Sequence, residues 1–232
     1  MFFNSALANP LIPAGSYTIG VDGGFDESPA HTVHISASFI MQYREVTQQE
    51  YAEVTGRNPS RFAACGPECP VEGVTWSEAL HYANKMSLRD GLEPCYELTT
   101  VSPKWINLEC KGWRLPTESE WEAAAQLGQF GGRWSTENSG LQTQRTCKSG
   151  ADSVGLCDLL GNVSEWVWDL YGPYPPTRTV DYTGPAIGEL GVVRGGAWSH
   201  EHTGLMPHTR YSISRTAKAS NIGFRLVRRA LQ

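Results

Sequence analysis

The stretch "GWRLPTESEWEAAA", residues 112–125, decides how the rest of the chain is read. Thr117 and Glu120 have the spacing of a capping box. The threonine hydroxyl accepts the N–H of the third helical residue, and the glutamate reaches back. Trp121, Ala124 and Ala125 follow at helical spacing and Gly128 stops the run, which predicts a helix over 118–127. The same device recurs in "TQQE" (Thr47, Glu50) and "TWSE" (Thr75, Glu78), predicting helices over 48–55 and 76–89. In the second of these, Ala79, Tyr82, Ala83 and Met86 form an apolar stripe that reads as core.

Outward from the helices, regular structure is sparse. "IPAGSYTIG" (12–20) and "HTVHISASFIM" (31–41) alternate like strands, which puts His31 and His34 on a strand surface. Residues 130–150 show no sustained period and read as a long ordered loop. Residues 171–191 form a Pro/Gly-rich excursion, and short strands are expected at "GVVRGGAWS" and "IGFRLVRRA". There is no internal repeat and no linker, so one domain over 10–232 is expected. Residues 1–9 hold Ala6-Leu7-Ala8, a pattern like a signal-peptidase site, and read as a signal-peptide remnant or as residues foreign to the natural chain.

With 232 residues, 40% of them hydrophobic, the chain can bury a sizeable core. A net charge of −5 argues against nucleic acid, which needs a basic surface. No apolar run approaches the roughly 18 residues of a membrane span. Eight tryptophans and nine tyrosines are many, and buried indoles need partners, so some are expected to line a groove. The six cysteines fall into close pairs in chain order: Cys65 with Cys69, Cys95 with Cys110, Cys147 with Cys157. Disulfides are expected, hence an extracytoplasmic location: periplasm, cell surface or medium. Zinc is the competing reading, but only "CGPEC" has its spacing.

Taken in order, "IPAGSYTIG", "ESPAHTVHI", "REVTQQEYAEVTG", "CPVEGVTWSEALHYAN", "GWRLPTESEWEAAA", "GLCDLLGNVSEWVWD", "VVRGGAWS" and "NIGFRLV" resemble the formylglycine-generating enzyme, or sulfatase-modifying factor, family. The resemblance implies an α+β fold: a single loop-rich domain, a C-type lectin variant with few short helices and strands. The family is mixed in function. It includes copper oxidases that convert a sulfatase cysteine to formylglycine, iron enzymes of ergothioneine synthesis, a siderophore-maturation protein and ligand-binding variable proteins made by diversity-generating retroelements. Fold therefore does not settle activity.

The oxidases have Ser after "RGG" and then two cysteines. Here Ala197 follows "RGG", His200 and Leu205 stand near the cysteine positions, and no cysteine follows Cys157. Soft Cu(I) prefers thiolates, so oxidase activity is not expected. The segment "RGGAWSHEHTGLMPHTR" (194–210) is rich in histidine instead. Trp198, His200, Glu201, His202, His208, Arg210 and Tyr211 are expected to line a binding surface for a small ligand or a protein partner. Two alternatives stay open. His200, His202 and His208 could hold a transition metal in a divergent oxidoreductase, or the segment could belong to a retroelement-diversified receptor, although Glu201 and Met206 are untypical of such variation. The resemblance also implies a structural Ca²⁺ held by Asn162, Glu165 and the carbonyls of Val163 and Val167, hard oxygen donors close in sequence.

Overall fold

The computed structural model of the chain describes residues 8–99, 103–128 and 131–230. Three helices form where the capping boxes place them: α1 (Gln48–Thr55), α2 (Trp76–Arg89) and α3 (Glu118–Leu127). At each start the threonine hydroxyl accepts the N–H of the glutamate three residues on, and that carboxylate accepts the threonine N–H. The described strands are β1 (Leu11–Ile12), β2 (Gly15–Ile19), β3 (His31–Ile35), β4 (Phe39–Met41), β5 (Tyr96–Glu97), β6 (Lys104–Trp105), β7 (Ser164–Leu170), β8 (Thr179–Val180), β9 (Leu190–Arg194), β10 (Arg210–Ser214), β11 (Ile222–Gly223) and β12 (Val227–Arg229). They pair into small sheets: β10–β9–β7–β11, β1–β4–β12, β2–β3–β8 and β5–β6. The fold is α+β with little regular structure, as the resemblance implies.

The four-stranded sheet separates two apolar cores. Trp166 and Val193, paired across β7 and β9, face the core that holds α1, α2 and Phe224. Their neighbours Val167 and Val192 face the other core, with Trp121 and Ala124 of α3, Phe39 and Met41. Successive side chains of a strand point to opposite faces, so one strand serves both cores.

Two expectations are corrected, and one strand has no counterpart in them. "SEWVWDL", read only for the oxygen donors of a cation site, is β7, the longest of these strands. It is buried on both faces, so it shows no hydrophobic alternation. Arg210 and Tyr211, read as loop, open β10. His31 is 5% exposed rather than on the surface, with its ring 4.7 Å from that of Tyr174. It shares the inward face of β3 with Val33 and Ile35.

All six cysteines are bonded: Cys65–Cys69, Cys95–Cys110 and Cys147–Cys157. Three disulfides fit an oxidising compartment. No helix among the described residues is long and apolar enough to cross a membrane. Of the segment read as a leader remnant, residues 1–7 lie outside the described residues. Asn9 belongs to the fold, where its side-chain oxygen accepts the Tyr43 N–H at 3.1 Å.

Candidate functional site

The histidine-rich loop hangs between two arginines that face each other. Arg194 ends β9, Arg210 opens β10, and the two are directly opposed in register. Both are buried, at 0% and 4% exposure. Like charges so placed repel and must be offset. Glu118 of α3 lies between them: it accepts from Arg210 Nε and Nη2 at 2.7 Å each and from Arg194 Nη1 at 3.0 Å. One helical turn on, Glu122 accepts from Arg194 Nη2 at 2.7 Å. Two buried cations thus meet two buried carboxylates. Arg194 also donates to the Pro207 carbonyl (2.6 Å) and the His208 carbonyl (3.2 Å), so it holds the returning limb of the loop by its backbone.

The turn after Arg194 depends on Gly195. Its φ is +87°, and a Cβ there would lie 2.4 Å from the Leu159 carbonyl oxygen and 3.0 Å from the Trp121 ring. Beyond it the expected surface residues separate into two groups. Arg210 turns inward to Glu118, with its guanidinium 4.2 Å from the Tyr174 ring centroid, and is not a surface anchor. His200 is half-buried. Its Nδ1 accepts the Ala197 N–H at 3.0 Å, its ring stacks on Tyr211 at 4.7 Å, and burial lowers its pKa. Trp198 sends its indole N–H to the Ser220 carbonyl (3.1 Å) and packs edge-on against Phe62 at 5.3 Å. Glu201 is exposed, and His202 and His208 are half-buried. Leu205 is core. Among the described residues, no three His, Cys, Asp or Glu side chains gather where they could share a metal, so the three imidazoles do not converge.

Three of the four groups expected to hold calcium, Glu165, Asn162 and the Val167 carbonyl, are already engaged. Glu165 accepts from Arg225 Nε and Nη2 at 2.7–2.9 Å and from the Trp121 indole at 2.8 Å. Asn162 Oδ1 accepts the Gln144 N–H (2.9 Å), and the Val167 carbonyl accepts the Trp76 indole N–H (2.9 Å). A guanidinium in contact with the carboxylate also opposes a second cation there. As arranged, the set does not fit a calcium ion. Beside it lies Glu45, fully buried, which accepts from Asn162 Nδ2 at 3.0 Å. Burial, Asp158 and Glu165 together push its carboxyl well above the usual range.

The glutamates at 118 and 122 were not singled out in the sequence. Their signal was present: two acids one helical turn apart, in addition to the capping Glu120, in a segment otherwise of Ser, Trp and Ala, where no solvated face is left.

Comparison with known proteins agrees with this architecture. The family model for the Sulfatase-modifying factor enzyme 1-like domain matches residues 5–230. The chain is 32% identical over 233 residues to Chaperone protein LppX of Paenibacillus barcinonensis, covering 81% of this chain and 77% of that protein. It is 28% identical to the Formylglycine-generating enzyme of Streptomyces coelicolor, covering 75% of this chain and about half, 54%, of that enzyme. Among solved structures, Treponema denticola variable protein 1 superposes with a TM-score of 0.88 at 31% identity, covering 96% of this chain and 95% of that one. With the motifs, the fold and the family match in agreement, the chain belongs to the sulfatase-modifying factor enzyme 1-like domain family.

Proposed function

We propose that the protein is an extracytoplasmic module that presents its 198–211 loop to a ligand or protein partner, and that it is not a formylglycine-generating oxidase. The observation that carries this reading is the combination at the loop. Its ends are tied to one buried glutamate, while the imidazoles that would have to replace the oxidase thiolates are held apart. A rigid base under a partly exposed polar and aromatic loop is the arrangement of a binding surface. The three disulfides support the extracytoplasmic location.

The test is direct. The protein is incubated with copper, a reductant, oxygen and a sulfatase-type cysteine peptide, and the peptide is weighed by mass spectrometry. No formylglycine is expected, and turnover would overturn the proposal. In parallel, Glu201→Ala/His202→Ala/His208→Ala should change the melting temperature little, because Glu201 is exposed and His202 and His208 are only half-buried. The same variant should lose ligands that the native protein retains on a peptide and glycan array. His200→Ala is different. It removes the acceptor of the Ala197 N–H and should cost about 1 kcal/mol.

A second reading is favoured by the likeness to Treponema denticola variable protein 1. On it, the loop is a segment diversified by a retroelement on a constant scaffold. A mutated near-copy of the coding stretch for 198–216 in the source genome is the expected sign, and a genome without one would exclude it.

A further inference from the structure

β7 and β9 lose register between Trp166 and Leu170, and in that interval Trp168 leaves the core. Its half-buried indole lies among three other rings. It is nearly parallel to Tyr96 at 5.3 Å, tilted to Trp76 at 5.2 Å and edge-on to Trp105 at 5.5 Å. Trp76, the first residue of α2, is fixed by its indole bond to the Val167 carbonyl. Both tryptophans line a cleft of about 320 Å³, with Leu170, Pro185 and Arg215 among its other walls.

Arg215 gives this cleft its chemistry. Its guanidinium stands over the Trp76 ring, 5.3 Å from the centroid. Its carbonyl accepts the Trp76 N–H at 3.1 Å, which fixes its backbone. Its stem passes Gly191 of β9, where a Cβ would come within 3.1 Å of Arg215 Cγ and 3.0 Å of the Trp166 ring. The side chain is therefore held in place rather than free to sweep through solvent. Yet among the described residues no carboxylate lies within ion-pair distance of it, unlike the buried Arg114, Arg194, Arg210 and Arg225.

A fixed guanidinium without a counter-ion offers a planar fork of donors suited to a carboxylate. The half-buried Trp168 indole beside it offers flat apolar area suited to a ring, while Trp76, 3% exposed and covered by the guanidinium, backs the site. The volume is near the lower end of the roughly 300–1,000 Å³ of ligand pockets, room for one ring and a short acid. We propose that this cleft binds a small aromatic carboxylate, with the ring against Trp168 and the carboxylate on Arg215. None of the named walls belongs to residues 198–211, so this site is independent of the loop reading. A neutral sugar could also stack on the indoles, but it would make no use of the charge.

The experiment titrates the protein with phenylacetate and with 2-phenylethanol, the same ring without the charge, followed by ligand-detected NMR. Phenylacetate should bind about tenfold more tightly than the alcohol, the worth of roughly one charge-assisted hydrogen bond. Arg215→Gln should bring the acid down to the alcohol's affinity and leave the alcohol unchanged. Trp168→Leu should weaken both. Should Trp168→Leu fail to fold, the half-exposed Arg215→Gln decides alone. Equal affinity for acid and alcohol, no saturable binding of either, or an acid affinity unmoved by Arg215→Gln would overturn the proposal.

Discussion

At the scale of single residues, the informative groups are charges out of water. Glu45 sits among Asp158, Glu165 and Arg225, one guanidinium against three carboxyls. With its pKa raised in the fold, Glu45 keeps its proton where the unfolded chain has lost it. Between the ordinary value of 4.5 and the raised one, the folded state binds more protons, so stability falls as pH rises. Glu45→Gln keeps a neutral acceptor and removes this dependence. Its melting temperature should gain on the native protein as pH rises above 4.5. A constant difference across that range would show Glu45 ionised in the fold. Such residues are hard to read in sequence because their partners are remote. Glu45 meets Asn162 across 117 positions, and Arg210 meets Glu118 across 92. Arg210 therefore read as a surface anchor. His200 was placed correctly in the loop, but its bond to the Ala197 N–H, a local turn contact, was not anticipated.

At the scale of elements, α3 is joined to β9 and β10 by Glu118 and Glu122. Glu118→Ala would leave Arg194 and Arg210 opposed with one carboxylate between them. Breaking a buried pair costs about 3–5 kcal/mol, which for a domain of this size lowers the melting temperature by roughly 6–20 °C. Circular dichroism melts check this, and Glu118→Gln, which keeps one of the two acceptor oxygens, should fall between. A loss under about 1 kcal/mol would mean that the arginines find other partners. The helices were legible to the residue because a capping box is a local signal: Thr47, Thr75 and Thr117 mark the starts, and Gly56 and Gly128 follow the ends of α1 and α3. The cysteine pairs were legible for the same reason, being 4, 15 and 10 positions apart. β7 was not, because a strand covered by two cores carries apolar residues on both faces and loses the alternation that marks a half-exposed strand.

For the whole molecule, the organising fact is that one buried ion pair, Arg225 with Glu165, stands where the family resemblance implies a metal. If Arg225 rather than calcium balances Glu165, EDTA should leave the melting temperature unchanged. A fall reversed by added calcium would show a bound ion stabilising the fold by mass action. The motifs made the family plain, since each is short and local, while the cleft at Trp168 and Arg215 is assembled from α2, β7 and the turn after β10 and has no linear signature. The paired arginines under the histidine loop have one further consequence. Because Glu118 clamps both ends, the loop's length is nearly free: closure entropy grows only logarithmically, and doubling the loop costs about 0.6 kcal/mol. Insertions and replacements at the tip, from Glu201 to Thr203, should therefore be inherited without loss of the scaffold, provided that Ala197 and Leu205 stay in the core, which makes this tip the part of the protein where new recognition can evolve fastest.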